Sequence, residues 1–332
     1  MKQTLYVNSH GTLQRDQNTL LLETEDGQKR YLPIEGVREL HIFGEVNLNK
    51  RVLEFLSQNQ VIVHFYNYYG YYTGSYYPRE HFNSGYMLLK QVEHYLDEPR
   101  RLDIARRIVQ GALANLQHVA RYYHNRQTDL SETLDALQSL RDAVTDCTTI
   151  ESLMQVEGKA REAYYTLFDH VLQHPDFSFG KRTRRPPRNR LNALISFGNS
   201  LLYTTALSEI YQTHLDPRVG YLHTTNFRRF TLNLDIAEIF KPLLVDRTIL
   251  TLIQKRQIRP EHFAEEMAGI YLNEEGRTIF LKAWEERLRS TFEHRRLKRH
   301  VSYRTAIRLD LYKLEKHLIG EKPFEPFKPR GT

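Results

Sequence analysis

The feature that most constrains this chain is a change in its hydrophobic pattern near residue 80. Before that point, short apolar runs are separated by turn residues, and two of them, 19–23 and 29–32, flank Asp26-Gly27, a pair typical of a tight β-hairpin. From Phe82 onward, apolar residues recur at intervals of three and four, the spacing of an amphipathic helix. The pattern predicts an α+β protein in which a small N-terminal β-rich domain precedes a larger, all-helical domain.

The same patterns predict where the individual elements lie. In the β-rich part, 37–43 and 61–66 are predicted strands, and Asn49 can cap a short helix between them. The later predicted helices lie near 130–145, 148–173, 191–213, 232–258, 261–269, 274–288 and 302–318. The resulting division is 1–80 for the β-rich domain, 81–90 for a linker, 91–320 for the helical domain and 321–332 for a tail that contains too much proline to be helical.

Several classes of protein are disfavoured by what the chain lacks. A single cysteine, Cys147, excludes an internal disulfide and a cysteine-based zinc site. No apolar run is long enough for a transmembrane helix, and residues 1–6 do not resemble a signal peptide, so we expect a cytoplasmic protein with no membrane partner. The sequence contains no P-loop, dinucleotide-binding fingerprint or nucleophile elbow, which argues against nucleotide-driven enzymes and serine hydrolases.

The distribution of positive charge favours a polyanionic partner. The net charge is +7, and the window 181–190 contains six basic residues and no acidic one. A second basic cluster lies at 294–304. Such clusters bind phosphate backbones because each neutralised phosphate releases condensed counterions. A solvated basic loop or helix face is the alternative interpretation of either cluster.

A tyrosine-rich segment has two possible roles. Residues 66–77 contain seven tyrosines. They could form a platform on which nucleic-acid bases stack, as in an RNA-binding protein. They could equally form an aromatic sheet edge or a dimer surface, since tyrosine is enriched at protein interfaces.

Three segments supply candidate metal ligands. Glu157 lies near the inward face of a predicted helix, His223 lies in or beside a loop, and Asp235 and Glu238 are three residues apart on one helix face. Each segment has another interpretation that involves no metal. Glu157 could form a salt bridge, His223 could be a structural histidine, and Asp235 and Glu238 could lie on an exposed acidic face. Together they would form a site rich in oxygen and nitrogen that suits Mg²⁺ or Mn²⁺ and could support in-line displacement at phosphorus.

Four motifs, in this order and spacing, resemble the CRISPR-associated endonuclease and integrase family of spacer acquisition. The resemblance covers most of residues 80–320. It rests on Glu157-Gly158-Lys159-Ala160 followed by Tyr164-Tyr165, on Arg184-Arg185-Pro186-Pro187 followed by 192–203, on Gly220-Tyr221-Leu222-His223-Thr224 and on 234–242. The variant Arg188-Asn189-Arg190-Leu191-Asn192 is most similar to the type I-B branch.

The resemblance implies roles for individual residues of the helical, catalytic domain. Glu157, His223 and Glu238 would hold Mg²⁺ or Mn²⁺, with Asp235 as a supporting acid and Tyr165 aligning DNA near the metal. The implied contacts to DNA phosphates are Arg182, Arg184, Arg185, Arg188 and Lys241.

The resemblance also implies partners and a reaction. The protein would form a homodimer through its β-rich domain, and two dimers would be bridged by a dimer of a small CRISPR-associated adaptation partner with a ferredoxin-like fold. The 3′-hydroxyl ends of a short foreign DNA would attack phosphodiesters of the CRISPR repeat, which is transesterification. The alternatives are a non-catalytic nucleic-acid-binding scaffold and an RNA-binding protein that uses the tyrosine-rich segment.

Overall fold

The chain divides into two compact units, Met1–His81 and Phe82–Thr332, which are described separately. A computed structural model describes residues 2–79, 82, 84–126, 128–184, 186–225, 230–266, 269–294 and 297–329. None of the helices in these ranges combines the length and apolar character needed to cross a membrane.

The first unit contains two four-stranded sheets and one helix. Its elements are β1 (Gln3–Val7), β2 (Gly11–Asp16), β3 (Thr19–Thr24), β4 (Lys29–Pro33), β5 (Val37–Ile42), β6 (Val46–Leu48), α1 (Lys50–Gln58), β7 (Ile62–Tyr66) and β8 (Tyr72–Tyr76). One sheet has the order β1-β5-β7-β8, and the other has the order β4-β3-β2-β6. In the first sheet β1, β5 and β7 are parallel, whereas β8 pairs antiparallel with β7.

Local sequence signals explain several of these elements. The predicted hairpin is confirmed: β3 and β4 pair antiparallel, and Gly27 adopts a φ of +79° in the turn between them. The predicted helix cap is also confirmed, because the Asn49 side chain accepts a hydrogen bond of 3.1 Å from the backbone N–H of Val52. Such a cap satisfies one of the N–H groups that have no partner inside the helix.

The two faces of the parallel strands are chemically different. Leu40 on β5 and Val63 on β7 belong to an apolar core shared with α1 and with strands of the other sheet. Neighbouring residues of a strand point to opposite faces, so Glu39, His41 and His64 lie on the other face. All three are nevertheless buried and form a polar cluster inside the β-rich unit.

The second unit is built mainly from helices. They are α2 (Gly85–Leu96), α3 (Glu98–His124), α4 (Ser131–Ala143), α5 (Ile150–Leu172), α6 (Arg190–Tyr211), α7 (Leu232–Lys241), α8 (Arg247–Gln254), α9 (Glu274–Arg289) and α10 (Tyr303–Leu318). The segment expected to be a linker at 81–90 already contains the start of α2, where the Ser84 side chain accepts a hydrogen bond from Met87 N.

The expectation of an all-helical second domain is wrong in two places. Residues predicted as a helix near 261–269 instead form the hairpin of β9 (Phe263–Glu266) and β10 (Gly269–Leu272). Gly269 has a φ of +129°, which a helix does not allow, and the backbone N–H of Ile270 bonds to Pro187 O. A second pair of antiparallel strands, β11 (Thr291–His294) and β12 (Arg299–Ser302), overlaps the second basic cluster.

Helix α7 occupies the centre of this unit. Nearly all of its residues are buried, and it packs against α3 and α6. It ends at Pro242, which has no N–H to donate to the carbonyl four residues earlier, and a π-helical turn, Pro242–Asp246, leads into α8. Proline therefore interrupts what the hydrophobic pattern predicted as one continuous helix.

Residues 321–329, the described part of the proline-rich tail, have no regular secondary structure but contribute to the core. Phe324 and Phe327 are buried, and the Phe327 ring stacks on Phe240 of α7 with 5.6 Å between the ring centroids. The Asn115 side chain of α3 donates one hydrogen bond to Phe327 O and another to Ile239 O. The tail therefore holds α3 and α7 together.

Candidate metal centre

The predicted ligands lie on three parts of the helical unit. Glu157 is on α5, His223 lies in the loop that precedes α7, and Asp235 and Glu238 lie on α7. Asp235 and Glu238 are 0% and 4% exposed, so the interpretation of this segment as an exposed acidic face is wrong. Buried carboxylates require partners, because transfer of an isolated charge out of water is costly.

Asp235 organises the loop that carries His223. Its Oδ2 accepts hydrogen bonds from the backbone N–H groups of Tyr221 (2.5 Å) and Leu222 (3.0 Å). Its Oδ1 accepts from His223 N at 2.9 Å and lies 2.8 Å from His223 Nδ1. Glycine is required at 220, because a Cβ atom there would lie 2.9 Å from Asp235 Oδ2. The loop therefore folds around one carboxylate, which assigns the Nδ1 proton and directs Nε2 to any metal.

The imidazole of His223 is held in a negatively charged environment. Burial by itself would lower its pKa, but the hydrogen bond with Asp235 and the charges of Asp235 and Glu238 raise the pKa above its ordinary value. Metal binding requires the neutral ring, so protonation of His223 would compete with a cation.

Glu238 is the most strongly paired acid of the cluster. Arg161 donates a hydrogen bond of 2.8 Å to its Oε2, and Lys241 donates one to its Oε1. Burial opposes ionisation, but the positive charges of Lys241 and Arg161 outweigh it, and the pKa of Glu238 is lowered. The carboxylate is therefore ionised, with a cation at each oxygen.

The pKa of Glu157 is shifted in the opposite direction from that of Glu238. Burial, followed by the neighbouring charge of Glu238, raises the pKa of Glu157. Arg161, four residues along the same helix, lies farther away, with its Nε 3.6 Å from Glu157 Oε1. Two adjacent carboxyls that differ in this way repel each other when both are ionised, and a divalent cation relieves that repulsion.

The residue types of this cluster suit a hard divalent cation, although their ligand atoms do not all lie close to one point. Two carboxylates and one imidazole suit Mn²⁺ or Mg²⁺. Within the part of the chain that the structure describes, Glu157, His223 and Glu238 do not form a set whose ligand atoms all lie within 4.8 Å of one another. Arg161 and Lys241 occupy the oxygens of Glu238 that a metal would bind.

Comparisons with known proteins identify the family of this chain. The model of the family described as CRISPR associated protein Cas1 matches residues 5–286. The CRISPR-associated endonuclease Cas1 2 of Thermodesulfovibrio yellowstonii is 56% identical over 327 residues, which cover 98% of this chain and 99% of that protein. The chain belongs to the Cas1 family.

Solved structures extend the comparison to the fold of this Cas1-family chain. It superposes on a CAS1 protein from Thermotoga maritima with a TM-score of 0.89 and 49% identity, covering 98% of this chain and 100% of that one. A casposase bound to integration product also has a TM-score of 0.89, with 100% and 94% coverage. Its 19% identity shows a shared fold alone.

The residues predicted to contact DNA have different environments. Arg184 and Arg188 are exposed, whereas Arg182 bonds to Asn192 Oδ1 at 2.8 Å and to Ser196 Oγ at 3.2 Å. Lys241 is buried on Glu238. Arg185 lies outside the described residues. Arg182 therefore supports the start of α6, and Lys241 belongs to the acidic cluster.

The aromatic candidates differ in their exposure to solvent. Tyr165 is buried between Phe168 and Phe179, and the guanidinium of Arg161 lies 5.9 Å from its ring centroid. Of the tyrosine-rich segment in the β unit, Tyr76 donates a hydrogen bond to Leu53 O and packs on the apolar core.

Two residues of the cluster were not predicted from the sequence. Arg161 connects three acids, since its guanidinium also lies 3.8 Å from Asp246 Oδ2. Burial raises the pKa of Asp246 to about 6, against the opposing charge of Arg161. The available signals were an arginine one turn after Glu157 and an acid that closes the apolar run 243–245.

Proposed function

We propose that this Cas1-family protein is a metal-dependent DNA endonuclease and integrase. It inserts short foreign DNA into a CRISPR array by attack of a 3′-hydroxyl on a phosphodiester of the repeat. The observation that carries the proposal is the convergence of the Glu157 and Glu238 carboxyls on Arg161, at 3.6 and 2.8 Å, together with the hydrogen bond by which Asp235 orients His223. This donor set would hold Mg²⁺ or Mn²⁺.

The chemistry is a substitution at phosphorus. The attacking 3′-hydroxyl loses its proton as its oxygen forms a bond to phosphorus, the bond to the departing 3′ oxygen breaks, and the departing oxygen takes up a proton, so no net proton is released. A divalent cation held by Glu157, His223 and Glu238 would stabilise the negative charge that develops on the phosphoryl and departing oxygens. Asp235 holds the proton of His223 on Nδ1, which leaves the lone pair of Nε2 available to a metal. The ring of buried Tyr165 packs near the guanidinium of Arg161.

Arg161 and Lys241 have a second role in this proposal. They neutralise Glu238 in the free protein, at the oxygens that a metal needs. If Glu238 held a metal, Arg161 and Lys241 would both be released from its oxygens and could bind an incoming phosphate. The two cations that neutralise Glu238 in the free protein would then form a phosphate site.

DNA binding outside the cluster is assigned to the basic loop. Arg184 and Arg188 are exposed there and can neutralise backbone phosphates. Arg185 remains in this set on sequence grounds. We propose that Arg182 acts by holding the loop against α6, through its bonds to Asn192 and Ser196.

The proposed assembly is a homodimer formed through the β-rich unit. Two such dimers would bind a dimer of a small CRISPR-associated partner of ferredoxin-like fold. Support comes from family membership and from the sequence motifs. The type I-B assignment rests on the variant at residues 188–192.

A strand-transfer assay tests the reaction. A labelled short duplex with 3′-hydroxyl ends is incubated with a supercoiled repeat-bearing plasmid, the partner protein and Mn²⁺. We expect His223→Ala to lower the joining rate by about 100-fold or more, since a loss of a few kcal/mol of transition-state stabilisation corresponds to that factor. His170→Ala, an exposed histidine of α5, is the matched control and should join DNA normally.

Binding and joining must be measured together. If His223→Ala still binds DNA but does not join it, the catalytic proposal stands. If His223→Ala joins DNA as fast as the wild type, the site is wrong, and the non-catalytic scaffold becomes the better description.

A further inference from the structure

The β-rich unit contains a second cluster of metal-binding side chains. Glu39, His41 and His64 each offer a ligand atom, and these atoms all lie within 4.8 Å of one another. The three residues are 1%, 1% and 0% exposed. The cluster belongs to a different compact unit from the centre described above and plays no part in the proposed reaction.

The sheet register brings these residues together. In the parallel pair of β5 and β7, His41 lies directly opposite His64. Glu39 precedes His41 by two residues on the same strand, so both side chains project from the same face. The two imidazole rings have centroids 4.9 Å apart. The convergence is therefore a property of regular backbone pairing and needs no special loop.

Each side chain of the cluster is oriented by a hydroxyl group. His41 Nδ1 lies 2.8 Å from Tyr66 Oη, and His64 Nδ1 lies 2.7 Å from Ser75 Oγ. Glu39 Oε1 accepts a hydrogen bond of 3.0 Å from Thr4 Oγ1. Metal-binding histidines use one ring nitrogen for such a partner and the other for the metal.

Nε2 of His41 has the surroundings of a metal-binding atom. Nε2 of His41 is buried without a hydrogen bond and lies 3.4 Å from Glu39 Oε1. A buried nitrogen without a hydrogen bond is costly, whereas coordination would satisfy it. Its position beside a carboxylate and opposite a second imidazole is the one expected of a ligand atom.

We propose that Glu39, His41 and His64 form a zinc site that stabilises the β-rich unit. Two imidazoles and one carboxylate are a common protein ligand set for Zn²⁺, whereas Mg²⁺ prefers oxygen ligands. The site joins β5 to β7, and its hydroxyl partners extend it to β1 and β8. Bound zinc stabilises this unit because the unfolded chain does not hold the three ligands together.

Zinc binding to the full chain tests the proposal. The protein, purified without a polyhistidine tag and stripped of metal, is titrated with Zn²⁺ against a chromophoric chelator. We expect one tight site per chain, with at least a 100-fold loss of affinity in His64→Gln. His10→Gln, an exposed histidine of the same unit, and His223→Ala should keep that site.

Two further measurements cover the case in which His64→Gln fails to fold. Ser75→Ala removes the hydroxyl that orients His64, and we expect it to weaken zinc binding by about 10- to 100-fold while the strands remain intact. Zinc should also slow hydrogen exchange in β5 and β7 of the wild type. The proposal is overturned if Ser75→Ala and His64→Gln bind zinc as tightly as wild type, or if zinc leaves exchange in these strands unchanged.

Discussion

The two acid–histidine clusters differ in what surrounds their carboxylates. In the helical unit, Glu238 is held by the cations of Arg161 and Lys241. In the β-rich unit, the hydroxyls of Thr4, Tyr66 and Ser75 bond to Glu39, His41 and His64, whose ligand atoms already lie within 4.8 Å of one another. One cluster therefore has its charge compensated by the protein, and the other is preorganised around a common point.

This difference suggests two uses of the same residue types. A site on adjacent sheet strands has little freedom to move, which suits a permanently bound ion. A site assembled from two helices and a loop, and occupied by protein cations, can change partners when substrate arrives. The helical cluster thereby avoids leaving several buried acids unpaired in the absence of metal. The three predictions that follow test this contrast.

The largest expected effect is on stability. Glu238→Ala leaves two buried cations without their main partner, so we expect the free energy of unfolding of the helical unit to fall by about 3–5 kcal/mol. Hydrogen exchange followed by mass spectrometry, in metal-free buffer, measures the two units separately.

The corresponding substitution in the cluster of the β-rich unit should lower the free energy of unfolding by a smaller amount. In the same buffer, His41→Asn removes a hydrogen bond to the Tyr66 hydroxyl and a 3.4 Å contact with Glu39 but leaves no buried cation behind, so we expect a loss of about 1–2 kcal/mol from the β-rich unit. Equal losses in the two variants would show that the clusters do not differ in charge compensation.

The second prediction concerns metal affinity. Arg161→Gln removes a cation from Glu238 Oε2, and we expect Mn²⁺ to bind the helical cluster roughly tenfold more tightly, since a charge-assisted hydrogen bond no longer competes. Isothermal titration calorimetry measures the change. Arg141→Gln, which loses a hydrogen bond to Gln117 in the same unit, should bind Mn²⁺ like the wild type. Weaker Mn²⁺ binding in Arg161→Gln would contradict the competition.

The last prediction concerns the dependence of stability on pH. Burial raises the pKa of Asp246 from 3.8 to about 6, so the folded state binds this proton more tightly than the unfolded chain. The resulting stabilisation is complete below pH 3.8 and is lost as the pH rises through about 6. We expect wild type to lose stability relative to Asp246→Asn across this window, as measured by urea unfolding with Trp284 fluorescence. A difference that is constant with pH would show that the charge of Arg161 cancels the effect of burial.

The sequence predicted features whose causes are local. Asp26-Gly27 and Asn49 specify a turn and a cap through neighbouring residues, and the motifs around Glu157, His223 and Glu238 are short. The pairing of Arg161 with Glu238 joins residues 77 positions apart, so no local pattern indicates it.

The features that the sequence analysis predicted wrongly or missed depend on contacts between distant parts of the chain. The hairpin at 263–272 depends on a contact between Ile270 and Pro187, which overrides a weak helical pattern. The metal-binding cluster of the β-rich unit depends on parallel pairing of His41 with His64. Alternation places each histidine on a face of its strand, but the register that sets them opposite each other is a tertiary property.

The packing of the tail also bears on how the protein is made. The side chain of Asn115 bonds to Phe327, 212 residues later, and to Ile239 of the helix that carries Glu238. Ribosomes release the N-terminal part of a chain first. Helix α7 therefore remains incompletely covered until residue 327 has emerged. A nascent chain that has released only the segments carrying Glu157, His223 and Glu238 therefore does not yet hold the proposed reaction centre in its final packing.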